Sequence, residues 1–139
     1  QTDALARTAV SLFEQYVNSK HEGGVMYPAE PSQLQSFSEC EWMDQLFLEL
    51  YDGTKLIAVA ICDVTVDSLS AVYTFYDHHY EKFSLGTLMI LQQINIALHM
   101  SKTWLYLGYY IEQCDKIFEP AKCHAKNSKK VTNRYLYLY

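Results

Sequence analysis

Apolar residues at Leu5, Ala9, Leu12, Phe13, Tyr16 and Val17 recur with helical spacing, which predicts an amphipathic helix over Asp3–Lys20 that Gly23-Gly24 ends. Pro28 and Pro31 bracket a turn after Met26-Tyr27, and Ser32 is placed to cap a short second helix running to about Cys40. The period then changes. Leu46–Tyr51 and Lys55–Val64 read as strands, and the Asp52-Gly53 between them is a strong hairpin signal, so the two pair antiparallel. Asp67-Ser68 makes a further turn before a third strand, Leu69–Tyr76, rich in β-branched and aromatic residues. A polar loop, Asp77–Phe83, leads to a helix from Ser84 to about Met100, whose broad apolar face carries Leu85, Leu88, Met89, Leu91, Gln92, Ile96 and Leu98. Thr103–Ile111 reads as the next strand, and Tyr135–Tyr139 as a last one after a stretch of weak periodicity. A strand, a crossover helix and a strand imply parallel pairing. The expected fold class is therefore α+β: two helices, an antiparallel meander and one β-α-β crossover sharing a mixed sheet, with residues 1–139 forming a single domain.

Composition supports one packed domain. Half the residues are apolar, and twelve tyrosines and six phenylalanines stand against five glycines and three prolines, which argues against disorder and fibrous repeats. The longest apolar stretches, Leu56–Cys62 and Thr103–Ile111, are far below the roughly 20 residues of a bilayer crossing, and no signal peptide opens the chain. A cytoplasmic protein is expected. Cys40, Cys62, Cys114 and Cys123 are unevenly spaced without a C-x-x-C pair, which suits reduced thiols; Cys123-His124 with Cys114 lacks the second close pair of a zinc site, so no metal is expected. The formal charge of −5 conceals an asymmetry, because residues 115–139 carry six basic and two acidic side chains while the rest is strongly acidic. Such a tail can follow phosphates or lie as a solvated surface segment.

Candidate chemistry gathers where the two parallel strands flank the helix beginning at Ser84-Leu85-Gly86-Thr87. Ligands in such sheets favour strand carboxyl ends and helix N-termini, where free N–H groups and the dipole favour phosphate or a developing oxyanion. Gly86 allows close backbone approach, and Gly108, inside an expected strand, marks either close approach of a ligand or a packing position. Tyr73, Phe75 and Tyr76 are either plain sheet aromatics or a platform for stacking a base. His78-His79 beside Asp77 has the composition of a base with its orienting group, but adjacent side chains in a polar loop are expected to point apart into solvent. No nucleophile elbow, P-loop or dinucleotide-binding glycine pattern occurs.

Several runs together carry a resemblance: Met26-Tyr27-Pro28; Ala58-Val59-Ala60-Ile61-Cys62-Asp63-Val64; Leu69 through Asp77; Ser84-Leu85-Gly86-Thr87 with Ile90-Leu91-Gln92-Gln93-Ile94; and Tyr106-Leu107-Gly108-Tyr109-Tyr110-Ile111 leading to Cys114 and Lys116. In order and spacing the chain resembles the C-terminal domain of the N-end-rule aminoacyl-tRNA-protein transferases over roughly residues 10–117, and looks closer to the bacterial aspartate/glutamate leucyltransferase branch than to the arginyltransferases. The resemblance implies a GNAT-like acyltransferase fold. It implies transfer of an amino acid, leucine or arginine, from aminoacyl-tRNA to the N-terminal Asp or Glu of a protein, marking that protein for degradation. No cofactor is implied in this domain; aminoacyl-tRNA is the co-substrate. The pocket implied lies in segments 70–77, 84–87 and 106–111, with Tyr73, Tyr76, Asp77, Ser84, Gly86, Gly108, Tyr109, Tyr110 and Lys116 as substrate-binding candidates and no general base named. The family also has an N-terminal domain with cysteines linked to an iron–sulfur cluster, which these 139 residues do not include, and after Lys116 the stretch 118–139 departs from the family pattern. Two other readings are an acetyl-CoA-dependent acetyltransferase of the same fold, for which Lys82–Thr87 is poor in glycine, and an inactive remnant that binds tRNA or an acidic N-terminus.

Overall fold

A computed structural model describes residues 2–24, 26–38 and 42–108. Tyr109, Tyr110, Lys116, the expected strand Tyr135–Tyr139, and Cys40, Cys114 and Cys123 lie outside the described residues.

The elements follow the order α1 (Thr2–Lys20), α2 (Pro31–Ser38), β1 (Asp44–Asp52), β2 (Lys55–Val64), β3 (Ser68–Tyr76), a 3-10 helix (His78–Phe83), α3 (Leu85–His99) and β4 (Trp104–Tyr106). Strand order in the sheet is β1-β2-β3-β4, with the first three antiparallel and β4 parallel to β3. The hairpin turns at Gly53, whose φ of 60° suits glycine, and α1 stops before Gly23 at φ 75°.

Two helical layers cover the two faces. Leu12, Phe13 and Val17 of α1 and Leu34 of α2 pack against Leu56, Val59, Ile61 and Phe75. On the other face, Leu85 and Met89 of α3 meet Ile57, Ala58 and Ala60, while Ala97 meets Leu69 and Leu105. Simple alternation would put Leu69 and Phe75 on one side of β3. They face opposite helices because the pairing with β2 slips between Ile61 and Cys62: Tyr73 stands opposite Ile61 and Ala71 opposite Cys62, so Val72 is an extra residue. This bulge reverses which positions of β3 face which helix.

Several expected boundaries shift. Ser32 lies inside α2 rather than capping it; the Glu30 N–H donates instead to Gln33 Oε1 at 3.1 Å. The loop after β3 is a turn of 3-10 helix. The buried face of α3 is Leu85, Met89, Gln93 and Ala97, spaced by four, whereas Leu91 and Leu98 are about half exposed and Gln92 is exposed. β4 is only three residues long. It pairs Trp104, Leu105 and Tyr106 with Ser68, Leu69 and Ser70, after which Gly108 adopts φ 93°, outside strand geometry. Gly108 therefore lies past the end of the strand, not within it.

Candidate functional site

The parallel ladder ends at Ser70 and Tyr106, and beyond it a cleft of about 320 Å³ opens between β3, α3 and the residue following β4. Its walls include Ala71, Val72, Tyr73, Thr74 and Tyr76 of β3, Gly86 and Thr87 of the first turn of α3, and Leu107, all within the expected segments. Tyr16, Ile90 and Gln93 complete it and were not singled out from the sequence as site residues. Tyr16 carries no signal beyond helical periodicity, whereas Ile90 stands in the run Ile90-Leu91-Gln92-Gln93-Ile94 that carries the family resemblance. Gln93 had a further signal: it is the polar member of an i, i+4 stripe of otherwise apolar residues.

The tyrosines divide the work. Tyr73 is not an open stacking platform, because Phe37 already lies parallel to its ring at 4.8 Å and 6°, and Phe13 meets it edge-on at 5.8 Å. Its hydroxyl donates to Met26 Sδ at 3.9 Å. Tyr76 stands at the mouth, 5.0 Å between centroids from Tyr16, with Lys20 Nζ 5.7 Å from its ring centre. Burial, reinforced by neighbouring Tyr76 and Tyr73, pushes the Tyr16 hydroxyl upward, and burial does the same at Tyr73, so both remain neutral donors near neutral pH. Lys20 donates to Glu81 Oε1 at 2.6 Å, and that bond, against the opposing effect of burial, raises its pKa and keeps it a cation.

At the same mouth, α3 begins without a side-chain cap. Ser84 takes left-handed backbone (φ 52°, ψ 51°) and its hydroxyl accepts none of the first-turn N–H groups, which keep their capacity for an acceptor outside the helix. A Cβ added at Gly86 would lie 3.6 Å from Tyr76 Cε1, an ordinary contact that narrows the opening. The positive end of α3 thus favours an anionic group at the mouth, where Lys20 is already paired with Glu81. Neither carboxylate nor imidazole lines the cleft among the described residues, so the lining offers hydrogen-bond donors and a shaped wall but no strong base.

Asp77 and Ser84 are not brought to the cleft wall, and Gly108 is the neighbour of Leu107 without lining it. Asp77 holds the local fold: Oδ1 accepts the His79 N–H at 2.9 Å and meets His79 Nδ1 at 2.8 Å, while Oδ2 accepts Lys55 Nζ at 2.7 Å. Burial alone pushes this carboxyl upward; the bonds from Lys55 and His79 outweigh it and hold the pKa at about 2. The adjacent histidines do not point apart, since their ring centroids are 3.9 Å from each other. Asp77, His78 and His79 bring ligand-type atoms within 4.8 Å of one another, with both Asp77 oxygens accepting hydrogen bonds, so the group forms a bonded corner beside the cleft.

A family model described as "Arginine-tRNA-protein transferase, C terminus" matches residues 8–118, a span that includes every residue of the cleft wall. The chain belongs to this family. Among curated members of known name, the aspartate/glutamate leucyltransferase of Pseudoalteromonas atlantica is 46% identical over 107 residues, covering 77% of this chain and 46% of that protein. That of Aeromonas salmonicida is 44% identical over 106 residues, covering 76% and 44%. The chain spans less than half the length of these transferase relatives. Among solved structures, the ribosomal-protein-S18-alanine N-acetyltransferase of Escherichia coli superimposes with a TM-score of 0.63 at 17% identity, covering 85% of this chain and 68% of that one. The PaiA N-acetyltransferase of Thermoplasma acidophilum, in complex with coenzyme A, gives 0.64 at 14%, covering 85% and 80%. These likenesses show the GNAT-like fold expected from the sequence. No helix among the described residues is long and apolar enough to cross a membrane.

Proposed function

We propose that this chain is the acyl-transferring domain of an enzyme that moves an amino acid, leucine in preference to arginine, from aminoacyl-tRNA to the N-terminal Asp or Glu of a cytoplasmic protein. The reading is carried by one observation: the span 8–118 matched by the transferase family model contains the entire cleft wall, in a chain 46% identical over 107 residues to a protein named aspartate/glutamate leucyltransferase. In the reaction the free α-amine forms a bond to the ester carbonyl carbon, the bond from that carbon to the terminal ribose oxygen breaks, and the proton lost by the amine balances the one gained by the ribose oxygen.

In this scheme the mouth of the cleft, with Lys20, Tyr76 and the uncapped start of α3, takes the phosphate-bearing 3′ end of tRNA, and the acyl group enters between β3 and α3. Of the site candidates, Tyr76 and Gly86 serve the mouth and Tyr73 stiffens the wall; Tyr109, Tyr110 and Lys116 lie outside the described residues and stay substrate-binding candidates on the family resemblance. The 139 residues act together with an N-terminal domain of the same enzyme. An acetyl-CoA-dependent activity is less well supported, because the acetyltransferase likenesses are at 14–17% identity and concern the fold alone.

The test is incubation of the chain with radiolabelled leucyl-tRNA and arginyl-tRNA and peptides beginning with Asp, Glu or Ala, beside an acetyl-CoA reaction. Leucine on the Asp and Glu peptides alone is the expected outcome. Acetyl transfer without aminoacyl transfer refutes the proposal.

A further inference from the structure

Three of the four residues in the buried stripe of α3 are apolar: Leu85, Met89 and Ala97. The fourth is Gln93, 1% exposed. Its Oε1 accepts from Cys62 Sγ at 3.4 Å, while its Nε2 has no hydrogen-bond partner among the described residues. A buried amide donor without an acceptor destabilises the fold that holds it, and native proteins carry few. Leucine or methionine would fill the same stripe without that cost. Burial pushes the Cys62 thiol up to about 12, so it stays protonated and donates to the amide oxygen, leaving the two protons of the amide nitrogen for another acceptor.

The position of this amide is specific. Ser70 and Tyr106 are the last paired residues of the parallel ladder, and the next residue on each strand, Ala71 and Leu107, lines the cleft together with Gln93. Gln93 thus stands where the strands part. Eight residues of helix, about 12 Å, separate it from the start of α3 at the mouth. The mouth carries the Lys20–Glu81 ion pair and the positive end of α3; beside Gln93 the side chains of Ala71, Ile90 and Leu107 are apolar, so its amide is the polar side-chain group among them. An anion placed there would lose its hydration without meeting a positive charge, whereas a neutral carbonyl needs one neutral donor.

We propose that the Gln93 side-chain N–H is an acyl-carbonyl site: it donates a hydrogen bond to the neutral carbonyl oxygen of the acyl group carried into the cleft. The identity of the donor, an aminoacyl ester, rests on the function proposed above. Gln93 transfers no proton. It orients the carbonyl for attack and stays bonded to its oxygen as negative charge develops there.

The test uses the 15N-labelled 139-residue chain and two probes: 3′-leucylamido-3′-deoxyadenosine, in which an amide replaces the reactive ester, and acetyl-CoA. The Gln93 NH2 resonances are assigned by their loss in Gln93→Met. The expected result is a shift of this pair with the leucylamido probe, and a binding constant for that probe weakened about five- to tenfold in Gln93→Met, the loss of one hydrogen bond. Gln93→Met is also expected to melt no lower than the parent, since it removes an unpaired buried donor. A shift of the Gln93 pair with acetyl-CoA but not with the leucylamido probe upholds the carbonyl site and refutes the aminoacyl function. Shifts at Tyr76, Gly86 and Thr87 without movement of the Gln93 pair overturn the carbonyl site while sparing the cleft, as does equal binding by parent and Gln93→Met. No movement of the pair with either probe, or a marked fall in melting temperature of Gln93→Met, overturns it too, the latter by showing the amide to be internally engaged.

Discussion

Replacing Asp77 with Asn keeps the shape of a 3% exposed side chain and removes its charge. Asp77 joins three parts of the chain: its N–H donates to the Ile57 carbonyl at 2.8 Å, one carboxylate oxygen accepts the His79 N–H, and the other accepts Lys55 Nζ. A carboxyl held at about 2 instead of 3.8 contributes on the order of 2 kcal/mol to folding near neutral pH. The folded pKa is depressed, so this contribution is fully present above the unfolded value and is lost as pH falls through the folded one. About half of it should survive at pH 3. Urea unfolding of parent and Asp77→Asn, followed by circular dichroism at pH 7, 5 and 3, measures the gap directly. A gap near 2 kcal/mol at pH 7 and 5 that narrows at pH 3 is expected. A gap below about 0.5 kcal/mol at pH 7, or one independent of pH, would refute the assignment of Asp77 as a charged fastening of the fold.

Gly108→Ala forces a side chain into φ 93° and should cost about 1–2 kcal/mol in chemical denaturation, although no neighbour among the described residues lies near the new methyl. Gly86→Ala is the contrast: a helical position with an ordinary 3.6 Å contact, where stability should hold or rise by up to about 1 kcal/mol while probe binding at the narrowed mouth weakens. A stability loss at Gly86 would show the local packing to be tighter than the structure has it. Phe75→Ala, at a fully buried ring in edge contact with Phe13, should lose about 3–5 kcal/mol by the same denaturation assay. Because burial raises Cys62 to about 12, its peptide should remain unlabelled by iodoacetamide at pH 8 in native protein and label only in denaturant, as read by mass spectrometry.

Legibility followed the range of the interactions. The hairpin at Asp52-Gly53 and the helix ended by Gly23-Gly24 rest on local backbone chemistry, and both appear as expected. Parallel pairing of β4 with β3 followed from the crossover helix between them. The buried side of α3 was misassigned because leucines at 91 and 98 extend the apparent apolar face into solvent, and only the sheet decides which stripe is covered. Asp77 looked like a loop residue since Lys55, which closes its bond, is 22 positions away. The segments of the cleft wall were expected, but the same limit hid where the strands part. A bulge at Val72 and the early end of the ladder depend on register between strands, which composition and periodicity do not encode.

Val72 has a consequence for how this protein can vary. As the extra residue of β3 it acts like the throw of a crankshaft: on one side of it Phe75 turns toward α1, on the other Leu69 turns toward α3. Loss of that single residue would rotate half the strand by a face, sending Leu69 out of its packing and moving Ala71 away from the point where the strands part. A point substitution in β3 acts at its own packing site, whereas a one-residue deletion there undoes core and cleft together. Variation in length is therefore expected in the turns flanking the strand, at Asp67 or beyond Phe83, rather than within it.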